Sequence, residues 1–268
     1  ITVIVMFPIM WIVSMAIDPR GITRPTDLNL IPPNANLDAF VSVLTEPFSN
    51  VLPVYFGDLL VNSLFIALGV SLSTVVFGAS AAYAFSRFKP SGTNFLMFML
   101  LSIRMVPAVA VVIPVSLMYS ALQWKDTYFG MIMIYAMFSI PFSVWILKGF
   151  VDGVSQRYDE TALINGGSRW HVIFRVILPQ VAPGLVAAFI FNLIFVWNEF
   201  LFSLILGGRD TTGIPVSFST DLYSDGGVDW TFTASMATLY MIPPLLSIFF
   251  FQKYLLVGMT FGTVRGEV

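Results

Sequence analysis

Runs of about 20 apolar residues recur along this chain, and that recurrence limits its fold more than any single motif. A helix crossing a bilayer needs ~20 mostly apolar residues, and about six stretches qualify: Ile1–Ile17, Leu59–Phe85, Phe95–Leu122, Tyr128–Phe150, Leu185–Leu206 and Ala234–Val257. Hydrophobic residues make up 57% of the 268 positions and charged residues 10%, outside the range of soluble domains. The expectation is an all-α membrane protein of six transmembrane helices, with 1–268 forming a single domain. The chain opens at Ile1 inside an apolar run, so a cytoplasmic segment is expected to precede it, rather than a cleaved signal peptide.

The polar connections differ in character. Residues 18–58 carry Pro19, Pro25, Pro32, Pro33, Pro47 and Pro53, a density that excludes a spanning helix and predicts an external loop with a short helix near Leu37–Leu44. Residues 207–233 predict a second external loop rich in Gly and Asp, with Asp210, Asp221, Asp225 and Asp229. Orientation follows from the basic residues. Arg87, Lys89, Lys148, Arg157, Arg169, Arg175, Lys253 and Arg265 share one side, against Arg20, Arg24, Lys125 and Arg209 on the other. The richer side is cytoplasmic.

On that side lies the longest polar interruption, residues 151–183. Ser155 is placed to cap a helix from Gln156 to Ile164, which Gly166 and Gly167 end, because glycine enters the left-handed conformation without steric cost. Ser168 then caps a second helix. Its Trp170, Ile173, Phe174 and Ile177 fall on one face, and Pro179 and Pro183 close it. Spacing alone leaves two readings open: a loop lying on the bilayer surface, or a small helix with an acidic end, Asp159 and Glu160, that enters a cleft on another protein.

Enzyme chemistry finds little support. One histidine and no cysteine exclude the usual transition-metal clusters and make a histidine-assisted nucleophile improbable. No Gly-rich phosphate loop ending in Gly-Lys-Ser or Gly-Lys-Thr occurs, so no nucleotide site of that kind is expected here. The net charge of -2 gives nucleic acid no basis for binding. Two charges stand deep inside spans. Arg104 lies about ten residues into the third, roughly 15 Å deep, where a guanidinium must face protein or water; it either faces a cavity or satisfies carbonyls freed by Pro107. Glu199 follows Trp197 and Asn198 in the fifth. These three, with Asn192, are either a polar lining able to stack on and hydrogen-bond a ligand or an inter-helix hydrogen-bond network.

Glu160-Thr161-Ala162, then Gly166, then Leu178-Pro179 resembles the EAA loop of permease subunits of ATP-binding-cassette importers. Thr161 stands where that family usually has Ala, and Asn165 where it usually has Asp. The wording around Asn62-Ser63-Leu64, Ala81–Arg87, Arg104-Met105-Val106-Pro107, Trp197-Asn198-Glu199-Phe200 and the tail 252–266 is similar to the carbohydrate branch, of the maltose-permease kind. The resemblance implies the type I importer permease fold with a cytoplasmic coupling helix in 151–183 and a cytoplasmic tail over 253–268. It implies a binding-protein-dependent importer of a sugar, polyol or glycoside in a bacterial or archaeal inner membrane. It further implies a second homologous permease, a dimer of ATP-binding subunits carrying ATP and Mg, an extracytoplasmic solute-binding protein, and no cofactor on this chain. Asp159, Glu160, Thr161, Ala162, Asn165, Gly166 and Arg265 would couple to the ATPase, while spans three, four and six would bend at their prolines. The rival reading is an ion-driven secondary transporter or channel working through Arg104 and Glu199; it lacks visible charge partners and an inverted repeat.

Overall fold

The computed structural model describes residues 2–20, 30–48, 54–220, 223–224 and 227–263. Helices dominate, in the order α1 (Thr2–Ala16), α2 (Asp38–Thr45), α3 (Phe56–Arg87), α4 (Thr93–Ile103), α5 (Ala108–Ala121), α6 (Tyr128–Gly153) and α7 (Gln156–Ile164). A continuous helical segment then runs through α8 (Arg169–His171), a π-helical stretch Val172–Ile177 and α9 (Leu178–Gln180). The chain continues with α10 (Ala182–Trp197), α11 (Leu201–Leu206), α12 (Ile214–Thr220) and α13 (Trp230–Thr263). A two-residue antiparallel ladder, β1 (Tyr223–Ser224) with β2 (Gly227–Val228), sits in the second external loop.

Three helices, α3, α6 and α13, are each long and apolar enough to cross a membrane. Two more crossings arise if each bent pair counts as one, and α1 is a shorter apolar helix. All six expected apolar segments are thus helical, but two are not the straight spans the sequence suggests. The third breaks at Arg104–Pro107, and α4 and α5 meet at 84°. The fifth begins after a 75° bend between Arg169–Gln180 and α10, and it is interrupted again at Asn198–Phe200. Pro107 explains the first break, since proline lacks the N–H and excludes the preceding residue from helical geometry. Pro141 of α6, and Pro243 and Pro244 of α13, lie inside uninterrupted helices.

The centre of the bundle is the packing of α3 against α6, with α10 laid against both. Small residues permit the approach: a Cβ on Gly78 would meet the Ser143 Cβ at 2.8 Å. Two apolar clusters fill the interior. One gathers Phe56, Leu59, Val70, Tyr119, Tyr135, Trp197 and Ile214. The other, toward the end of the bundle that carries α7, gathers Tyr83, Leu147, Val151, Val172, Ile177 and Val181.

The external end is pinned by one acid at a turn. Asp126 accepts from the backbone N–H of Asp210 and Thr211 at 3.1 and 3.0 Å and from the Thr211 hydroxyl at 2.9 Å. Its own N–H donates to Leu206 O. Asn62 donates to Thr212 O at 3.1 Å and accepts from the Tyr128 hydroxyl at 2.5 Å. The second external loop therefore folds back onto the bundle. Asp221 and Asp225 lie outside the described residues.

Candidate functional site: a cavity at two helix breaks and a cytoplasmic helix

The breaks in the third and fifth spans open onto the same space. A cavity of about 700 Å³ is lined by Arg104, Val106, Tyr135, Phe195, Asn198 and Glu199, among others. Arg104 and Glu199, far apart in sequence, share it, yet no ion pair joins them. The Arg104 guanidinium lies 4.7 Å from the ring centroids of both Phe142 and Phe195, within cation–π range. Backbone groups around it are closed by tight turns: Arg104, Met105 and Val106 donate to Leu101, Ser102 and Ile103 O. Of the two readings of Arg104, the cavity-facing one matches the structure.

Glu199 behaves differently. Its carboxylate accepts from the Phe202 N–H at 3.0 Å and the Ser203 N–H at 3.2 Å, covering the start of α11. It also accepts from the Tyr135 hydroxyl at 2.5 Å. A carboxylate here supplies acceptors to the backbone donors that a helix start leaves open.

The other residues expected on a substrate path divide. Asn198 is exposed on the cavity, donates to Ile194 O at 2.8 Å and accepts from the Tyr240 hydroxyl at 3.4 Å. Trp197 is buried in the core, its ring stacked on Tyr240 at 5.3 Å and its Nε1 donating to Tyr240 O at 3.2 Å. That geometry corrects the expectation that Trp197 is free to stack on a sugar ring. Asn192 is also buried away from the cavity, donating to the Ser143 hydroxyl and Ala188 O at 2.7 Å each. It ties α10 to α6.

At the other end of the bundle α7 forms as expected. The Ser155 hydroxyl accepts from Arg157 N–H, Asn165 donates back to Thr161 O at 2.9 Å, and Gly166 turns the chain at φ +82°. Glu160, Thr161, Asn165 and Gly166 are exposed, and Ala162 is half-buried against the second apolar cluster. Exposed Tyr158 and Ile164 share the outer surface.

Asp159 points the other way, which corrects its placement with Glu160 on an acidic outer end. It is buried and paired with Arg87 Nε at 2.7 Å. Arg87 also donates to Val151 O and Val154 O at 3.3 and 2.9 Å. One guanidinium therefore gathers the ends of α3, α6 and α7. Beside it Asp152 accepts from the Ser86 hydroxyl and Lys148, both at 2.6 Å. Arg265 lies outside the described residues.

The second helix of this stretch contains a π-helical segment after His171. Trp170, Ile173, Phe174 and Ile177 line one cavity, Ile177 buried, Trp170 and Phe174 exposed and stacked on each other at 5.8 Å. Sequence reasoning also missed Tyr135, Phe142, Phe195 and Arg87. Arg87 had the clearest signal, a charge ending an apolar span, but it reads as a boundary until Asp159 is brought beside it.

Comparisons with known proteins bear on the family and the fold. Residues 74–260 match the family described as Binding-protein-dependent transport system inner membrane component. The trehalose/maltose transport system permease protein MalG of Thermococcus litoralis is 30% identical over 268 residues, 99% of this chain and 93% of that protein. The trehalose transport system permease protein SugB of Mycobacterium tuberculosis is 30% identical over 267 residues, 97% of this chain and 93% of that one. Among solved structures, a bacterial ABC transporter involved in import of the acidic polysaccharide alginate has a chain of similar fold. Its TM-score is 0.76 at 20% identity, covering 94% of this chain and 91% of that one. The inward-facing MetNI methionine transporter gives 0.56 at 15% identity over 75% and 96%. The chain belongs to the family of inner membrane components of binding-protein-dependent transport systems.

Proposed function

We propose that this chain is the translocating subunit of an ATP-driven importer of a sugar, polyol or glycoside. The relatives named for trehalose and maltose support the substrate class. The observation that carries the reading is the cavity at the two helix breaks, with Arg104 held between two phenylalanine rings and turned toward it. Aromatic walls with a few polar groups suit a ring bearing hydroxyls. Arg104 and Asn198 would donate to those hydroxyls; Glu199, already engaged by α11 and Tyr135, would hold the wall in place.

The energy would enter from outside the chain. A second homologous permease would complete the pathway, two ATP-binding subunits with ATP and Mg would lie beneath, and an extracytoplasmic binding protein would deliver the solute. Glu160, Thr161, Ala162, Asn165 and Gly166 would form the face that seats in the ATPase, with the tail and Arg265 nearby. The Arg87–Asp159 pair gives that face a mechanical link. Displacing α7 pulls on α3, a single helix of 32 residues about 48 Å long, and so on the walls of the cavity. Closure of the ATPase would then switch access between the two sides.

A pull-down of the tagged chain in mild detergent, expressed with its neighbouring genes, tests the assembly. A second permease and an ATPase with measurable ATP hydrolysis are expected to co-purify. Recovery of the chain alone under several gentle conditions would favour an ion-driven secondary transporter. Replacing Gly166 by Val tests the coupling face. A side chain at φ +82° costs about 1–2 kcal/mol, so the complex should assemble while uptake is lost. Intact uptake would remove the coupling role.

A further inference from the structure

A second cavity lies apart from the one at the helix breaks, at the cytoplasmic end between α3 and the Arg169–Gln180 segment. It measures about 370 Å³ and is walled by Val76, Ala79, Tyr83, Phe88, Ile173 and Ile177, with Arg169 also on its lining. That volume falls within the range of small-ligand sites, about 300–1,000 Å³. Two features show what would fill it. The Tyr83 hydroxyl is buried on this cavity beside the Arg169 guanidinium, with which it interacts, but it closes no hydrogen bond of good geometry among the described residues; a buried phenol normally has one. Arg169 lies 5.7 Å from the Phe88 ring centroid and forms no ion pair with any described carboxylate.

The setting narrows the occupant. Val76 and Ser80, on the α3 wall, are exposed, so the space communicates with the outside of an apolar helix long enough to cross a membrane. Lys89, His171 and Arg175 are exposed near the same end, and of the nearby acids Asp159 is already neutralised by Arg87. We infer that the cavity holds one acyl chain of an anionic glycerophospholipid from the cytoplasmic leaflet, its phosphate on Arg169 and its ester oxygen accepting from Tyr83. The lipid would wedge between α3 and the segment joining the coupling helix to α10. This rests only on the chain's place in the membrane, not on what it transports.

The test uses the assembled complex, purified in mild detergent and exchanged into phosphatidylglycerol or phosphatidylcholine, with retained lipid counted by native mass spectrometry. The wild type should retain phosphatidylglycerol in preference by about fivefold, the equivalent of ~1 kcal/mol for a basic residue at a lipid surface. Arg169→Gln should abolish that preference, and Ala79→Trp, which fills the cavity, should remove the retained lipid of either headgroup. Equal retention by the wild type, or unchanged retention in assembled Ala79→Trp complexes, overturns the inference. A photoreactive benzoylphenylalanine at Ser80 gives a reading independent of the tryptophan variant. A lipid adduct supports the site, and an adduct to protein alone shows that a polypeptide covers it and overturns the inference.

Discussion

The two helix breaks that face one cavity are built in opposite ways. At Arg104–Pro107 the backbone closes on itself through tight turns, and the charged side chain is left without a carboxylate or hydrogen-bond partner among the described residues, touching only two aromatic faces. At Asn198–Phe200 the charged side chain is what closes the backbone: Glu199 caps α11 and binds Tyr135. Charge at membrane depth is costly in both places. In one it is the means by which the helix is interrupted; in the other it is available to whatever enters.

That contrast predicts two different failures. Glu199→Ala should give the largest loss of stability, about 3 kcal/mol, because two N–H groups and a phenol lose their acceptor. Thermal unfolding of the purified complex would show it, whereas a normal melting curve with transport abolished would move Glu199 to the cargo's side of the comparison. Arg104→Met should do the reverse. Assembly and melting should stay near wild type while uptake falls roughly 10- to 100-fold, the value of a charge-assisted hydrogen bond or two. Loss of assembly in Arg104→Met would mean that both breaks are scaffold. The smallest effect belongs to Trp197→Phe, which keeps the stack on Tyr240 but removes the indole donor, about 1 kcal/mol of stability. Its sugar affinity should not change, and a selective loss of affinity would show that Trp197 leaves the core during transport.

The sequence carries the number of apolar helices plainly, because burial of about 20 apolar residues in lipid leaves few alternatives. It carries the short polar helix Gln156–Ile164 equally well, through Ser155 at one end and Gly166 at the other. What it hides are contacts made across distance. Asp159 and Glu160 are adjacent acids with identical local signals, and only the arrival of Arg87, 72 positions earlier, turns one inward. Trp197, Asn198 and Glu199 read as one polar cluster, yet α10 ends at Trp197 and the two residues after it lie in the break before α11. One therefore enters the core, one the cavity and one the cap of the next helix. The π-helical stretch after His171 is similarly invisible to a 3.6-residue pattern, although Trp170, Ile173, Phe174 and Ile177 still line one cavity. Prolines carry unequal weight. Pro141, Pro243 and Pro244 stand inside continuous helices, whereas Pro107 marks a true break.

The 84° bend has a consequence for the life of the chain in a cell. Its arms of 11 and 14 residues measure about 16 and 21 Å, so neither bridges ~30 Å of hydrocarbon. The elbow itself is bare, Met105 being 79% and Val106 44% exposed. Non-helical backbone at such depth persists only against protein or water. A copy that finds no companion therefore presents an irregular, oily surface to membrane proteases, and its half-life should lengthen several-fold when its companions are co-synthesised. The chain would then be rationed by the abundance of its scarcest companion, without any transcriptional control.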